Sequence, residues 1–206
     1  MALTRRTALT SILRAAFAGT LLCFAVWANA ALSAAQLQQL KVAIAANPVW
    51  AAMPNTQDGA LEIAAQLSVQ AVPDWIVRRT TLSRHSILTG TSLEATSFTW
   101  TGLAYIGRSQ GERDAFREIF NSTGTVDPGV TSTIAAFADI FSGAGGATNR
   151  AHIDASGKRK ASLYERVFTT GLGTLASPAI LGTDGDGFRI EGVVNFTVVF
   201  SARNAP

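Results

Sequence analysis

Residues 188–200 read FRIEGVVNFTVVF, a β-branched and aromatic run that separates an all-helical chain from a mixed one. Asp184-Gly185 just ahead is a hairpin signal, so the run is expected to form a C-terminal β-hairpin or small antiparallel sheet. Most of the chain upstream has helical period instead. Ser33 reads as an N-cap, and Leu37, Leu40 and Ile44 form a stripe that Asn47-Pro48 stops. Pro54-Asn55-Thr56 announces a second helix burying Leu61, Ile63, Ala64 and Leu67 and ending near Pro73. Residues 74–81 suit a short strand, and residues 82–106 leave helix and strand open, with Phe98 and Trp100 on one face if extended. A helix over 109–121 carries Phe116, Ile119 and Phe120, and Pro128 sits in the first turn of the next, whose stripe is Ile134, Phe137, Ala138 and Phe141. Residues 142–146 (SGAGG) read as a loop. Residues 148–168 read as one long helix with Asp154 and Lys158 paired at i, i+4, and with Leu163, Tyr164, Val167 and Phe168 pointing inward. The fold class expected is α+β: four to five helices with a C-terminal β-hairpin or small antiparallel sheet.

Composition narrows the function classes. In 206 residues 48% are hydrophobic and 15% charged, enough apolar material for a sizeable core. The formal charge of +3 comes entirely from Arg5, Arg6 and Arg14; without them 14 basic residues face 14 acidic ones. No nucleic-acid partner is expected from such a balance. Residues 1–30 have the layout of an export signal: the three arginines, then the apolar run AAFAGTLLCFAVW, then Ala28-Asn29-Ala30 as a small-x-small cleavage pattern. The apolar run is too short for a stable membrane span, which needs about 20 residues. An uncleaved helix and an upstream mis-assigned start, with Leu32 as the initiator, are the competing readings. Residues 31–206 are expected to form a single domain. The one cysteine, Cys23, lies in the leading segment, so the domain has no disulfide, thiolate ligand or thiol nucleophile.

The sharpest catalytic candidate is Gly107-Arg108-Ser109-Gln110-Gly111, a match to the G-x-S-x-G nucleophile elbow. Residues 103–106 would be the preceding strand, and Asp127 or Asp139 followed by His152 would complete a Ser, Asp, His order. The competing reading makes Ser109 an N-cap with Glu112 closing a capping box. Residues 183–187 (TDGDG) resemble a calcium loop, but Phe188 and Asn195 stand where two further ligands belong, and a hairpin turn explains them better. Residues 143–148 lack the lysine of a phosphate loop. His85 and His152 have no acid at ligand spacing beside both, so neither metal nor cofactor is expected. Lys158-Arg159-Lys160, with Arg150 and Arg166, would contact phosphate or an acidic partner, or else form a solvated helix face. Trp50, Trp75 and Trp100 read as core or interface anchors.

A set of segments in fixed order carries a family resemblance. They are the helix closing on Asn47-Pro48; Pro54-Asn55-Thr56-Gln57-Asp58-Gly59-Ala60; Phe98-Thr99-Trp100-Thr101; and Ile106-Gly107-Arg108. Ala136-Phe137-Ala138-Asp139-Ile140-Phe141 follows, then the basic segment from Lys158 to Phe168, Thr170-Gly171-Leu172-Gly173-Thr174, Ala176-Ser177-Pro178-Ala179 and Ile190-Glu191-Gly192. With these the chain resembles small proteins encoded among the head and tail genes of tailed bacteriophages and prophages. The resemblance implies a non-enzymatic capsid, neck or tail component, homo-oligomeric and bound to other virion proteins, assembled in the host cytoplasm and residing in the virion. It supplies no catalytic residues. The alternative is an exported bacterial protein, periplasmic or secreted, such as a small serine hydrolase using Ser109, His152 and Asp127.

Overall fold

The computed structural model describes residues 32–206 apart from Thr91 and Ser122; the signal-like segment 1–30, with Cys23, lies outside the described residues. Nine α-helices and one 3₁₀ turn are described, with six short strands in two-stranded antiparallel sheets. The α+β class and the small antiparallel sheets stand as expected; the helices are shorter and more numerous than the four or five anticipated.

The chain begins with α1 (Ala34–Ala46), α2 (Pro48–Ala52) and α3 (Gln57–Leu67). Each start is set by a side-chain cap: Ser33 in a reciprocal box with Gln36, Asn47 onto Val49 and Trp50, and Thr56 onto Gly59. β1 (Ile76–Arg78), β2 (Leu82–Ser83) and α4 (Arg84–Thr89) follow, then a 3₁₀ turn (Gly102–Ala104) and α5 (Gln110–Glu118). The middle closes with β3 (Thr125–Val126), α6 (Thr131–Ile140) and α7 (Gly143–Ser156). The last part holds β4 (Lys158–Lys160), α8 (Leu163–Val167), β5 (Thr169–Thr170), β6 (Ile180–Leu181) and α9 (Phe196–Arg203). β1 pairs with β4, β2 with β3 and β5 with β6.

Two apolar cores result, and the chain passes from the first to the second and back. The first takes Leu40, Ile63 and Leu67 from the beginning and Tyr164, Ile190 and Val199 from the end. The second is built from residues 82–153, with Phe98, Phe116, Phe137 and Phe141 at its centre. Between them Val77, Ala161, Ala179 and Leu181 pack where the chain crosses through β1 and β4. Burial of each of the large side chains contributes about 1.5–3 kcal/mol.

Three expectations are corrected. The run 188–200 is not a strand pair. Its buried residues, Ile190, Val194, Val199 and then Ala202, recur every three to five positions rather than every two. Gly192, at φ +94°, breaks any continuous strand. Asn195 then caps α9 by accepting from the Val198 amide at 3.0 Å, and Val199 and Ala202 are fully buried against α1 and α3. Tertiary packing has overridden the β propensity of Val and Phe. The hairpin signal itself is real but small: Asp184-Gly185 turns the chain so that Thr183 bridges Arg189.

The glycine run 142–146 is not a loop either; α7 begins at Gly143. The absence of side chains lets the first turn approach its neighbours, because a Cβ on Gly145 would lie 2.5 Å from Leu103 Cβ and one on Gly146 2.2 Å from the Phe141 carbonyl oxygen. The long basic helix is interrupted as well. α7 stops at Gly157, and Lys158-Arg159-Lys160 is extended in register with Arg78, Val77 and Ile76.

Candidate functional site

Ser109 is the N-cap of α5. Its Oγ accepts weakly from the Glu112 amide (3.3 Å) and donates to Glu112 Oε2 (2.8 Å), while the Ser109 amide also donates to that oxygen (2.9 Å). The segment before it is the 3₁₀ turn, not the strand an elbow requires. Arg108 clamps this helix start: its guanidinium meets Glu112 Oε1 at 2.6 Å, reaches the Ser142 and Leu103 carbonyls, and lies over the Phe141 ring. The Ser109 bonds, then the Arg108 charge, hold Glu112 below its ordinary carboxylate pKa, and a carboxylate so stabilised is a poor general base. Ser109→Ala is expected to cost about 1 kcal/mol through loss of the cap, measured by chemical denaturation.

His152 sits far from that chemistry in kind. It is fully buried on α7, with Nε2 2.8 Å from the Ile87 carbonyl oxygen and Nδ1 2.9 Å from Thr96 Oγ1. A carbonyl only accepts, so Nε2 donates to Ile87, and Nδ1 shares a hydrogen bond with the threonine hydroxyl; both nitrogens are committed to joining α7 to α4 and the 92–96 turn. Asp127 accepts from the Gly129 amide at 2.6 Å and pairs with Arg189 at 3.5 Å. Asp139 is exposed on α6. Ser109, His152 and Asp127 thus each have other partners, and the structure does not bring them together as a triad.

The turn 183–187 places Asp184 Oδ1 on the amides of Asp186 and Phe188, the hairpin geometry. Among the described residues, no three of His, Cys, Asp and Glu converge in a metal-binding arrangement. No described helix is long and apolar enough to cross a membrane. Trp50 and Trp75 are anchors, bonded to Gln66 and Thr169, whereas Trp100 is half exposed.

The basic segment is met by acids, with Lys158 buried, Arg159 half-buried and Lys160 exposed. Lys158 Nζ lies 2.7 Å from Asp154 and 3.0 Å from Glu94, and Asp154 also receives Arg78 at 2.7 Å. Burial opposes the charge on Asp154, but the Lys158 and Arg78 contacts outweigh it and its pKa falls. Burial likewise opposes the charge on Lys158, and its acidic partners raise it overall. Arg159 makes a two-pronged contact with Glu165, both at 2.8 Å, and a further one with Glu191 at 2.7 Å. Lys160 pairs with Asp74, and Arg166 lies 4.8 Å over the Trp75 ring. Burial, reinforced by the Asp184 and Glu165 charges, pushes the neighbouring Tyr164 phenol up to about 12.

Like Arg166, and unlike residues 158–160, Arg150 makes no ion pair among the described residues. Its Nη1 donates to the Phe141 carbonyl at 2.7 Å, and among the described residues no carboxylate lies within ion-pair distance of it. It borders a pocket of about 240 Å³ between α6, α7 and β1, walled by Pro128, Ile134, Phe137, Ala138 and Ile153 with Arg78 and Asp154 at its edge. The i, i+3, i+4 stripe on α6 marked Ile134, Phe137 and Ala138 as one face; no local signal marked Arg78 or Ile153 as the opposing wall.

A second feature escaped sequence reasoning. Buried Asn149 accepts from the Thr99 amide at 2.7 Å and donates to the Thr99 and Ala104 carbonyls, both at 2.9 Å. It pins residues 99–104 to α7; this segment carries Trp100 and Leu103, and Ile106 follows it, the latter two 66% exposed. The Ile106 amide donates to the Trp100 carbonyl, closing the segment into a turn. No protein-family model matches the chain, and neither a curated protein nor a solved structure matches it.

Proposed function

We propose that this protein is a non-catalytic structural or assembly component of a tailed phage or prophage particle, acting in the capsid, neck or tail through contacts with other virion proteins and with copies of itself. The observation that carries the proposal is the display of large apolar side chains on a segment held rigid from beneath. Trp100 is half exposed and Leu103 and Ile106 are exposed, while Asn149 ties the neighbouring Thr99 and Ala104 backbone with three hydrogen bonds. Apolar groups presented on an ordered surface support a protein-contact role. The building of Ser109 and His152 into a helix cap and a buried strut agrees with it, and so does the resemblance to morphogenesis proteins.

The experiment is peptide mass spectrometry on particles purified after induction of a strain carrying the gene. Peptides from residues 32–206 are expected to co-purify with infectious particles through a density gradient. Their confinement to the periplasm or medium, free of particles, overturns the proposal. A fluorophosphonate probe tests the hydrolase alternative directly: no labelling that disappears in Ser109→Ala is expected.

A further inference from the structure

We infer that the pocket between α6 and α7 is a socket for Phe188 of a second copy of this chain, with Asp186 of that copy meeting Arg150. The inference rests on the proposed assembly role and names the partner and the contact.

The socket has the size and lining for a phenyl ring. An apolar cavity of about 150 Å³ already admits benzene, and this one holds about 240 Å³ behind Ile134, Phe137, Ala138 and Ile153. Ile134, one of its walls, is 39% exposed. Its charges do not cancel. Asp154 is matched by Arg78 and Lys158, and Lys158 in turn by Glu94, whereas Arg150 has no carboxylate within ion-pair distance among the described residues. An apolar cavity with one uncompensated guanidinium calls for an apolar group carried next to a carboxylate.

The hairpin at 183–189 presents that combination. Phe188 is 70% exposed and Asp186 is exposed, with no cation at ion-pair distance among the described residues. The tip is set before any partner arrives: Asp184 Oδ1 takes the Asp186 and Phe188 amides, and the Asp184 amide donates to the Phe188 carbonyl at 2.7 Å. A knob ordered in advance loses little freedom on docking. Knob and socket are also neighbours on one molecule. Arg189, next to Phe188, pairs with Asp127, next to the socket residue Pro128. Two-fold pairing of copies through this region would place each Phe188 in the other's socket, making the same contact twice.

Sedimentation velocity on the full chain over a concentration series tests this, with Phe188→Ala, Asp186→Arg, Arg150→Asp and the double charge reversal. The wild type is expected to dimerise, and Phe188→Ala to raise the dissociation constant at least about tenfold. Each single charge change is expected to weaken association, and the double reversal to recover most of the loss. Phe188 and Asp186 are exposed, so their variants decide the matter even if Arg150→Asp folds poorly. Dimerisation unchanged by Phe188→Ala overturns the inference and leaves the assembly role standing. A chain that stays monomeric in solution and is missing from particles removes both. A monomer that binds 3-phenylpropanoate through Arg150 assigns the socket to a different aryl acid and also overturns self-pairing.

Discussion

Glu165→Ala is expected to lower the unfolding free energy by about 3 kcal/mol, seen as a fall in the denaturant midpoint. The carboxylate is 3% exposed and accepts from four donors: Arg159 Nη1 and Nη2 (2.8 Å each), the Ser162 amide (2.9 Å) and the Gly192 amide (2.7 Å). Alanine removes both acceptor oxygens and leaves four donors without them in a buried place. Glu191 remains on Arg159, which keeps the loss at the lower end for a broken buried pair. Burial acts against ionised Glu165, but Arg159 and the two amides prevail and its folded pKa lies below the ordinary 4.5. A depressed carboxylate contributes stability that is present above its unfolded pKa and lost as pH falls through the folded one. Stability is therefore expected to decline as pH drops beneath 4.5, and Glu165→Gln to remove part of that decline while keeping the side chain's shape. Thermal melts of the two proteins across pH 3–6 check this.

The same site shows what a linear sequence can and cannot say. Ser162 followed three residues later by Glu165 is a capping-box signature, as are Ser33 with Gln36 and Ser109 with Glu112, and all three are formed. Such signals are legible because both partners lie within one turn. The partners that give Glu165 its weight, Gly192 and through Arg159 also Glu191, lie 27 and 26 residues away in sequence, and no local pattern joins them. The basic run 158–160 misled for a related reason. Its residues suit a solvated helix, and only the pairing of β4 with β1 turns Lys158 inward to Asp154 and Glu94. His152 and Asn149 resist local reading too, since their partners Ile87, Thr96, Thr99 and Ala104 come from a stretch whose element type is open in the sequence. For residues 196–203 the competing preferences are visible in retrospect: Asn195 is a cap and Val199 and Ala202 share a helical face, but β propensity speaks louder when the neighbours are unknown.

Phe116→Ala is expected to be the most damaging single truncation, costing about 4 kcal/mol and lowering the melting temperature by about 10 °C. The ring is fully buried and touches five others, with centroids 5.3 Å from Phe141, 5.7 Å from Phe120, 5.9 Å from Phe98, 6.0 Å from Tyr105 and 6.3 Å from Phe137. Aromatic neighbours braced on one another, three of these five edge to face on Phe116, have few ways to close over a void, so the cavity persists and its cost adds to the lost transfer energy. Phe116→Leu keeps most of the volume and is expected to cost much less. Phe137 also walls the proposed socket, so the alanine variant should loosen that wall and weaken self-association along with stability. Phe188→Ala, altering an exposed ring, should weaken self-association and leave the melting temperature of the monomer unchanged. Measured side by side, the two variants separate packing of the core from docking on its surface.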